Sequence, residues 1–169
     1  MKVYVDFDGV ILDTLSLLFD DNYYKIQNSL NFDKKKYMQE VNWEHLLLKS
    51  KVINNSLEIL SELQDKITIL TKINSLDNEG IAKIKFLRSH GIYSDVILVP
   101  YNLKKSDVVN AKNNILIDDT IHNLDDWYLD GGTSIFFNKD NMDKDNWGNV
   151  NSKYKKIKDL EYLKDIIKK

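Results

Sequence analysis

Carboxylate, hydroxyl and lysine side chains border several short apolar segments of this sequence, and together they could bind and transfer a phosphoryl group. They are Asp6, Asp8, Thr71, Lys104, Lys105, Asp118 and Asp119. Clustered carboxylates repel one another, so a site built from them needs a cation, and hard oxygen ligands favour Mg²⁺. The metal and one lysine would also offset the charge of a phosphate, while a hydroxyl holds its oxygens.

The segment Asp6-Phe7-Asp8-Gly9-Val10 carries two carboxyl groups that could act in sequence. A carboxylate in line with phosphorus can attack it as a nucleophile and form an aspartyl-phosphate. A second carboxyl, two residues further on, can protonate the leaving oxygen and then deprotonate the water that hydrolyses the intermediate. Gly9 would let the backbone approach the ligand closely, and the N–H groups of this turn would hold phosphate oxygens.

Apolar segments predict the strands that would bring these side chains together. Strands are expected at residues 2–6, 67–71, 95–99 and 114–118, with a weaker one at residues 133–138. Most are apolar almost throughout, as in parallel strands that helices cover on both faces. Helical patterns at residues 78–90, 106–113, 121–129 and 155–169 alternate with them. This alternation predicts a doubly wound, Rossmann-like α/β sheet, with ligands beyond the carboxyl ends of its strands.

Residues 14–66 interrupt the alternation, because they contain no good strand and three helical patterns, the second near residues 34–48 and the third near residues 56–63. We therefore expect a helical cap at residues 14–54, inserted after the first strand, and an α/β core made of residues 1–13 and 55–169. The insertion holds aromatic residues that could stack on a nucleobase or form the core of the cap: Phe19, Tyr23, Tyr24, Tyr37 and Trp43.

Four segments, in their order along the chain, resemble the motifs of the haloacid dehalogenase (HAD) superfamily in its phosphatase branch. They are VYVDFDGVILD, ITILT, KKSD and ILIDD, and the resemblance covers about residues 1–140. It implies that Asp6 is the nucleophile and Asp8 the general acid and base. It also implies a Mg²⁺ site formed by carboxylates of Asp6 and Asp118 and the backbone carbonyl of Asp8, with Asp119 beside the metal or as an occasional ligand.

The same resemblance implies a phosphate site. Thr71 would supply its hydroxyl, and the backbone at Phe7 and Gly9 would complete the set. The lysine is Lys104 or Lys105, and Lys105 is preferred because a small residue, serine, follows it at the start of the next helix.

An acid at position 8 favours hydrolysis of phosphate esters over cleavage of carbon–halogen or carbon–phosphorus bonds in this superfamily. The short helical insertion and the LIDD form of the fourth motif resemble the 5'(3')-deoxyribonucleotidase group, so a nucleoside monophosphate is the expected substrate. That group commonly has Thr-Ser-Pro at its second motif, whereas Thr71 here precedes Lys72 and Ile73. The alternative substrate is another small phosphorylated metabolite, such as a sugar phosphate.

Composition excludes other classes. The absence of cysteine excludes disulfide scaffolds, thiolate metal sites and thiol nucleophiles. The balance of 24 basic and 26 acidic residues argues against a nucleic-acid polymer as partner. No apolar run is long enough for a membrane span and no export signal is evident. We expect a cytoplasmic protein acting on a small phosphorylated substrate, its oligomeric state left open.

Two classes of non-hydrolytic protein fit the order and identity of these residues less well than a phosphatase does. A phosphorylation-dependent receiver carries an acidic pair after its first strand and its phospho-acceptor later, which is the reverse of the order found here. A non-catalytic, phosphate-binding regulatory domain would tolerate the loss of Asp6 or Asp8, and both are present.

Overall fold

A six-stranded parallel sheet forms the centre of the protein, in a computed structural model that describes residues 1–167. The strands lie in the order β5-β4-β1-β6-β7-β8. Their bounds are Val3–Val5 (β1), Ile67–Ile73 (β4), Asp95–Pro100 (β5), Ile115–Asp118 (β6), Thr133–Phe137 (β7) and Lys155–Ile157 (β8). The predicted doubly wound α/β class is confirmed, and strands lie at all five predicted segments.

Helices cover both faces of the sheet, because alternate side chains of its strands point into two separate apolar clusters. Val3 and Val5 of β1 belong to one cluster, and Tyr4 between them belongs to the other. The helices after the insertion span Ser56–Leu63 (α5), Ile81–Ser89 (α6), Lys105–Val108 (α7), Ile121–Leu129 (α8) and Tyr162–Ile167 (α9). Residues of α5, α6 and α9 belong to the first cluster, and residues of α8 belong to the second. Burial on both faces explains why several of the strand sequences are apolar almost throughout.

The segment between β1 and α5 is helical but more divided than the sequence predicts. It contains Leu15–Leu18 (α1), Asp21–Ile26 (α2), Lys34–Glu40 (α3) and Trp43–Lys49 (α4). The single helix expected near residues 34–48 is wrong, since the chain leaves α3 at Val41 and starts α4 anew, with the Asn42 side chain accepting from the His45 N–H.

The prediction of no strand in residues 14–66 is also wrong. Lys51–Val52 (β3) pairs antiparallel with Leu12–Asp13 (β2), so a two-stranded ribbon joins the two ends of the insertion. Strands of two residues have no readable periodicity, which is why the sequence did not indicate them.

The inserted helices share a hydrophobic core with the sheet. Leu18, Met38, Trp43 and Leu47 belong to the same buried cluster as Val5. The division into a core of residues 1–13 and 55–169 and a cap of residues 14–54 remains a prediction, and the two parts are packed continuously.

The predicted helix over residues 155–169 is wrong in its first part. Lys155–Ile157 forms β8, which extends the sheet by pairing with β7, and the helix begins at Tyr162. Residues 168 and 169 of that prediction lie outside the described residues. The helix predicted at residues 106–113 is the short α7, and the one at residues 78–90 begins as a π-helical turn over Leu76–Gly80. None of the helices within residues 1–167 combines the length and apolar character that crossing a bilayer requires.

Candidate active site

The carboxyl ends of the three adjacent strands β4, β1 and β6 bring predicted site residues to one edge of the sheet. Asp6 directly follows β1, Asp118 ends β6, and Thr71 lies near the end of β4. All three side chains are buried. Parallel pairing in register therefore gathers residues that are far apart in the sequence, at the position where open α/β sheets bind ligands.

Lys105 lies between two of these carboxylates. Its Nζ donates to Oδ1 of Asp6 at 2.7 Å and to Oδ2 of Asp118 at 2.6 Å. Burial opposes the charge of the ammonium, yet the adjacent Asp118 and Asp6 raise the pKa of Lys105 above its usual value. Lys104 instead forms a 3.2 Å pair with Asp126 away from the cluster. The structure thus brings Lys105, and not Lys104, to the predicted carboxylates.

Asp6, Asp118 and Asp119 form a buried group with the donor chemistry of a hard-cation site. One carboxylate oxygen from each lies within 4.8 Å of the others. Burial raises the pKa of Asp6, Lys105 lowers it, and the charges of Asp118 and Asp8 raise it further. Together these effects bring the pKa of Asp6 up to about 7. Burial and the charges of Asp118, Asp6 and Asp8 also raise the pKa of Asp119. One lysine leaves this set short of positive charge, and a divalent cation with oxygen ligands fits it.

Two asparagines that the sequence analysis did not select orient these acids. Asn123 of α8 donates to both carboxylate oxygens of Asp118, at 3.1 and 3.2 Å. Asn146, in the loop after β7, donates to Oδ2 of Asp119 at 3.3 Å. Neither residue is part of the four motifs, so no signal in the single sequence distinguishes them from surface asparagines.

The turn after Asp6 brings the backbone against the second acid of the fourth motif. Gly9 has φ of +74°, and a Cβ built on it would lie 2.0 Å from Oδ2 of Asp119. The Gly9 N–H donates to the Leu12 carbonyl at 2.8 Å, so it is engaged inside the turn. Within residues 1–167, the N–H groups of Phe7 and Asp8 have no protein acceptor and could hold a phosphate oxygen.

The carboxylate of Asp8 has partners of its own outside the group of Asp6, Asp118 and Asp119. Its Oδ1 accepts from the Thr14 hydroxyl at 2.7 Å, and its Oδ2 accepts from Nζ of Lys83 at 2.5 Å. The carboxylate of Asp8 is therefore not one of the gathered oxygens, in keeping with the expectation that Asp8 contributes its backbone carbonyl to a metal.

Lys83 was missed by the sequence analysis. It lies on α6, is fully buried, and also donates to the Thr71 hydroxyl at 3.2 Å and to Oε1 of Glu79 at 2.7 Å. In sequence, Glu79 and Lys83 are spaced as an i, i+4 pair, a pattern typical of exposed helix faces. Only the approach of α6 to the ends of β1 and β4 reveals that this pair is buried.

No protein-family model and no curated protein matches the sequence. Solved structures do match it. One is the HAD hydrolase YfnB from Bacillus subtilis, bound to magnesium, with 16% identity and a TM-score of 0.63 over 99% of this chain and 98% of that one. Another is D,D-heptose 1,7-bisphosphate phosphatase from Burkholderia thailandensis, with 14% identity and a TM-score of 0.59 over 100% of both chains.

The same phosphatase from B. bronchiseptica, complexed with magnesium and phosphate, shows 13% identity and a TM-score of 0.56 over 98% of this chain and 97% of that one. The chain has the HAD fold. At such identities the likeness concerns the fold, and the ligands named for those structures belong to them.

Next to the carboxylate cluster, the HAD fold of this chain has a cleft of about 280 Å³. Gly9 and Asp119 line this cleft, and so do the aromatic side chains of Phe19, Tyr24 and Trp147. The Phe19 and Trp147 rings pack edge to face, with centroids 5.3 Å apart. The other predicted aromatic residues, Tyr23, Tyr37 and Trp43, do not line the cleft. Tyr23 and Trp43 are buried among the inserted helices, and the Tyr37 ring packs against the Tyr23 ring.

The loop that carries Trp147 is held by a buried carboxylate. Asp145 accepts from the backbone N–H groups of Ile121, Trp147 and Asn149, and from the Asn149 side chain. Because Ile121 is the first residue of α8, one side chain ties the loop to the helix that follows the fourth motif. The loop is thus fixed beside Asp119.

Proposed function

We propose that this protein is a phosphomonoester hydrolase of the HAD type, which works through a phosphorylated Asp6. The observation that carries the proposal is the position of Lys105 between Asp6 and Asp118, with Asp119 in the same buried group. The proposal is supported because this arrangement would bring a nucleophile, a cation for the phosphate and a set of metal ligands together at the strand ends.

The chain's own residues account for the steps of the reaction. An oxygen of Asp6 attacks phosphorus, and the bond between phosphorus and the leaving oxygen breaks while Asp8 donates a proton to that oxygen. Asp8 then takes a proton from water, whose oxygen attacks phosphorus, releasing phosphate and regenerating Asp6. Lys105, the Thr71 hydroxyl and the Phe7 and Asp8 N–H groups would hold the phosphate oxygens.

A magnesium ion would be held by carboxylate oxygens of Asp6 and Asp118 and by the backbone carbonyl of Asp8, with Asp119 beside it. When bound, it would offset the charge of the carboxylates and of the phosphate together. The raised pKa values of Asp6 and Asp119 support this assignment, because they reflect first the burial of these carboxyl groups and then negative charge that Lys105 alone does not offset.

A nucleoside monophosphate is the substrate class that we propose. The cleft beside Asp119 has an aromatic wall, formed by the exposed Trp147 and Tyr24 and the half-buried Phe19. Stacking on such a wall suits any nucleobase, because every base has an aromatic face. Lys34 lies over the Phe19 and Trp147 rings of this wall, with its Nζ 5.4 and 5.2 Å from their centroids.

A sugar phosphate is the second candidate substrate, since two of the structures with the same fold are heptose bisphosphate phosphatases. A screen over nucleoside monophosphates, sugar phosphates and other phosphomonoesters separates the two. If deoxynucleoside monophosphates are no better than sugar phosphates, the nucleotide assignment is wrong while the phosphatase assignment stands. We also propose that the protein is cytoplasmic, which cell fractionation would test.

The activity itself is tested by running this screen with and without Mg²⁺. We expect hydrolysis that depends on Mg²⁺ and is lost in Asp6→Asn. Asp143→Asn is the matched control, because Asp143 is an exposed aspartate that pairs with Lys156 and does not line the cleft. Full turnover by Asp6→Asn, or no hydrolysis of any substrate by the wild type, would show that the proposal is wrong.

A further inference from the structure

Lys83 is the buried cation that the reaction described above does not use. It lies on α6 with no exposed surface, at the junction of β1, β4 and the inserted helix α4. Its Nζ lies within hydrogen-bond distance of four oxygens: Oδ2 of Asp8 at 2.5 Å, Oε1 of Glu79 at 2.7 Å, and Oγ1 of Thr71 and the Lys72 carbonyl at 3.2 Å each. An ammonium has three N–H donors, so none remains for a ligand.

The surroundings of Lys83 hold the ammonium in one place. Glu79 belongs to the π-helical turn before α6, and its Oε2 accepts from the backbone N–H and the side chain of Asn74, at 2.7 and 3.2 Å. The Phe7 and Trp43 rings lie 5.4 and 5.1 Å from Nζ. Burial alone disfavours the ammonium, but the Asp8 and Glu79 charges more than offset it, so the pKa of Lys83 is raised.

Packing does not explain a charge at this position. Buried ion pairs stabilise a fold little or not at all relative to apolar residues of similar volume, because both charges lose their hydration. Methionine would fill the space between Phe7 and Trp43 and need no partner. What only an ammonium at this place supplies is a strong donor to Asp8 and to Thr71 at the same time.

We infer that Lys83 is a positioning residue for Asp8. Lys83 holds Oδ2 of Asp8 while the Thr14 hydroxyl holds Oδ1, so both carboxylate oxygens have a fixed donor and the side chain has one orientation. The same ammonium holds the Thr71 hydroxyl, which links the predicted acid to the predicted phosphate ligand. This inference rests on the proposed function, because it gives Lys83 a part in the same reaction.

The position of Asp8 affects the rate only where the leaving oxygen needs a proton from Asp8. When an alkyl phosphate is cleaved, Asp8 must donate a proton to the departing alkoxide as the bond from phosphorus to that oxygen breaks. When p-nitrophenyl phosphate is cleaved, the departing phenolate is stable without one. Releasing Asp8 from Lys83 should therefore slow the first reaction far more than the second.

The test uses two variants and a matched control. Lys83→Met alone leaves the buried Glu79 and the half-buried Asp8 without their partner and can fail to fold, so the second variant combines Lys83→Met with Glu79→Gln. The control is Lys85→Met, which lies on the same helix and removes a pair between α6 and α4, the exposed 2.7 Å contact with Glu44. Thermal unfolding and circular dichroism establish that each variant is folded.

The readout is kcat/KM with Mg²⁺ for ethyl phosphate and for p-nitrophenyl phosphate. For the double variant we expect a loss of about 10-fold to 100-fold on ethyl phosphate and of less than about 3-fold on p-nitrophenyl phosphate. In an Asp8→Asn background, the same change should leave the ratio of the two values unaltered. Lys85→Met should behave as the wild type on both substrates.

Equal losses on both substrates would show that Lys83 serves only the fold, and no loss on either would show that it is dispensable. Both outcomes overturn the inference and leave the proposed function intact, because the wild type is active in them. A wild type that hydrolyses neither these two esters nor any ester of the screen overturns the proposed function, and this inference with it.

Discussion

A Cβ atom placed on Gly9 would lie 2.0 Å from Oδ2 of Asp119, a distance that no pair of non-bonded atoms tolerates. The backbone of the turn after β1 thus lies directly against a side chain that follows β6. The φ of +74° at Gly9 adds a second reason for glycine, because side chains strain this region of backbone conformation. The first and fourth motifs therefore position each other through contact, without an intervening residue.

The first prediction concerns this contact. Gly9→Ala should displace the Asp119 carboxylate and lower kcat by about 100-fold or more, because small misplacements of site groups have effects of that size. Gly91→Ala is the control, since Gly91 also has φ of +74° but has nothing within 4 Å of the added Cβ. Both variants should lose about 1–3 kcal/mol of unfolding free energy in urea. Comparable activity in the two variants would contradict the prediction.

Lys105→Met should inactivate and destabilise the protein, whereas Lys104→Met should do neither. Removing Lys105 leaves Asp6 and Asp118 buried without their common cation, which should cost about 3–5 kcal/mol of unfolding free energy in the metal-free protein. The Lys104 ammonium pairs with Asp126 at the surface, and about half of the Lys104 side chain is exposed. Denaturant unfolding and initial rates measure both effects, and the reverse order of the two variants would make Lys104 the phosphate lysine.

The stability of the metal-free protein should fall as pH rises through the range between the two pKa values of Asp6. Folding raises this pKa from 3.8 to about 7, so the folded chain binds more protons than the unfolded chain in between. Each step up in pH across that window therefore favours the unfolded state, until Asp6 is ionised in both. Thermal unfolding in the presence of a chelator measures this slope, which Asp6→Asn should flatten.

Added Mg²⁺ should raise the unfolding temperature more at about pH 8 than at about pH 5, because protons compete with the metal for Asp6 and Asp119. At a metal concentration of about 100 times Kd, the gain should be about 2.7 kcal/mol. A gain that is equal at both pH values, or larger at the lower one, would contradict the assignment of these acids as ligands.

Trp147→Ala should reduce kcat/KM for a deoxynucleoside monophosphate by roughly 5-fold to 100-fold, as expected for loss of one stacking surface. Hydrolysis of ethyl phosphate, which has no ring, should change little. Tyr128→Ala is the control, because Tyr128 is an aromatic side chain of similar exposure on α8 that does not line the cleft. Equal losses on both substrates would show that Trp147 does not bind a base.

Site residues that end strands could be predicted, because a strand end is a local feature. Asp6, Thr71 and Asp118 each close an apolar segment, and parallel pairing alone brings such ends together. The short strands β3 and β8 could not be predicted in this way. Each exists through its partner strand, and two or three residues carry no pattern of their own.

Residues that reach the site from other segments could not be predicted from the sequence either. Lys83 and Glu79 have the spacing of an exposed helical pair, and only the packing of α6 against β1 and α4 buries them. Trp147 reaches the cleft because Asp145 folds its loop onto the start of α8, a contact between residues 24 apart.

The sequence by itself determined which acidic residues follow the parallel strands and in what order along the chain. It also determined the turn at Gly9 and the absence of thiol chemistry, since all of these depend on residue type and near neighbours. Tertiary structure decided which lysine lies between Asp6 and Asp118, which donors hold Asp8, and which aromatic side chains line the cleft. The physical reason is that the charge and orientation of a buried group are set by everything packed against it. Those neighbours come from segments that only folding brings together.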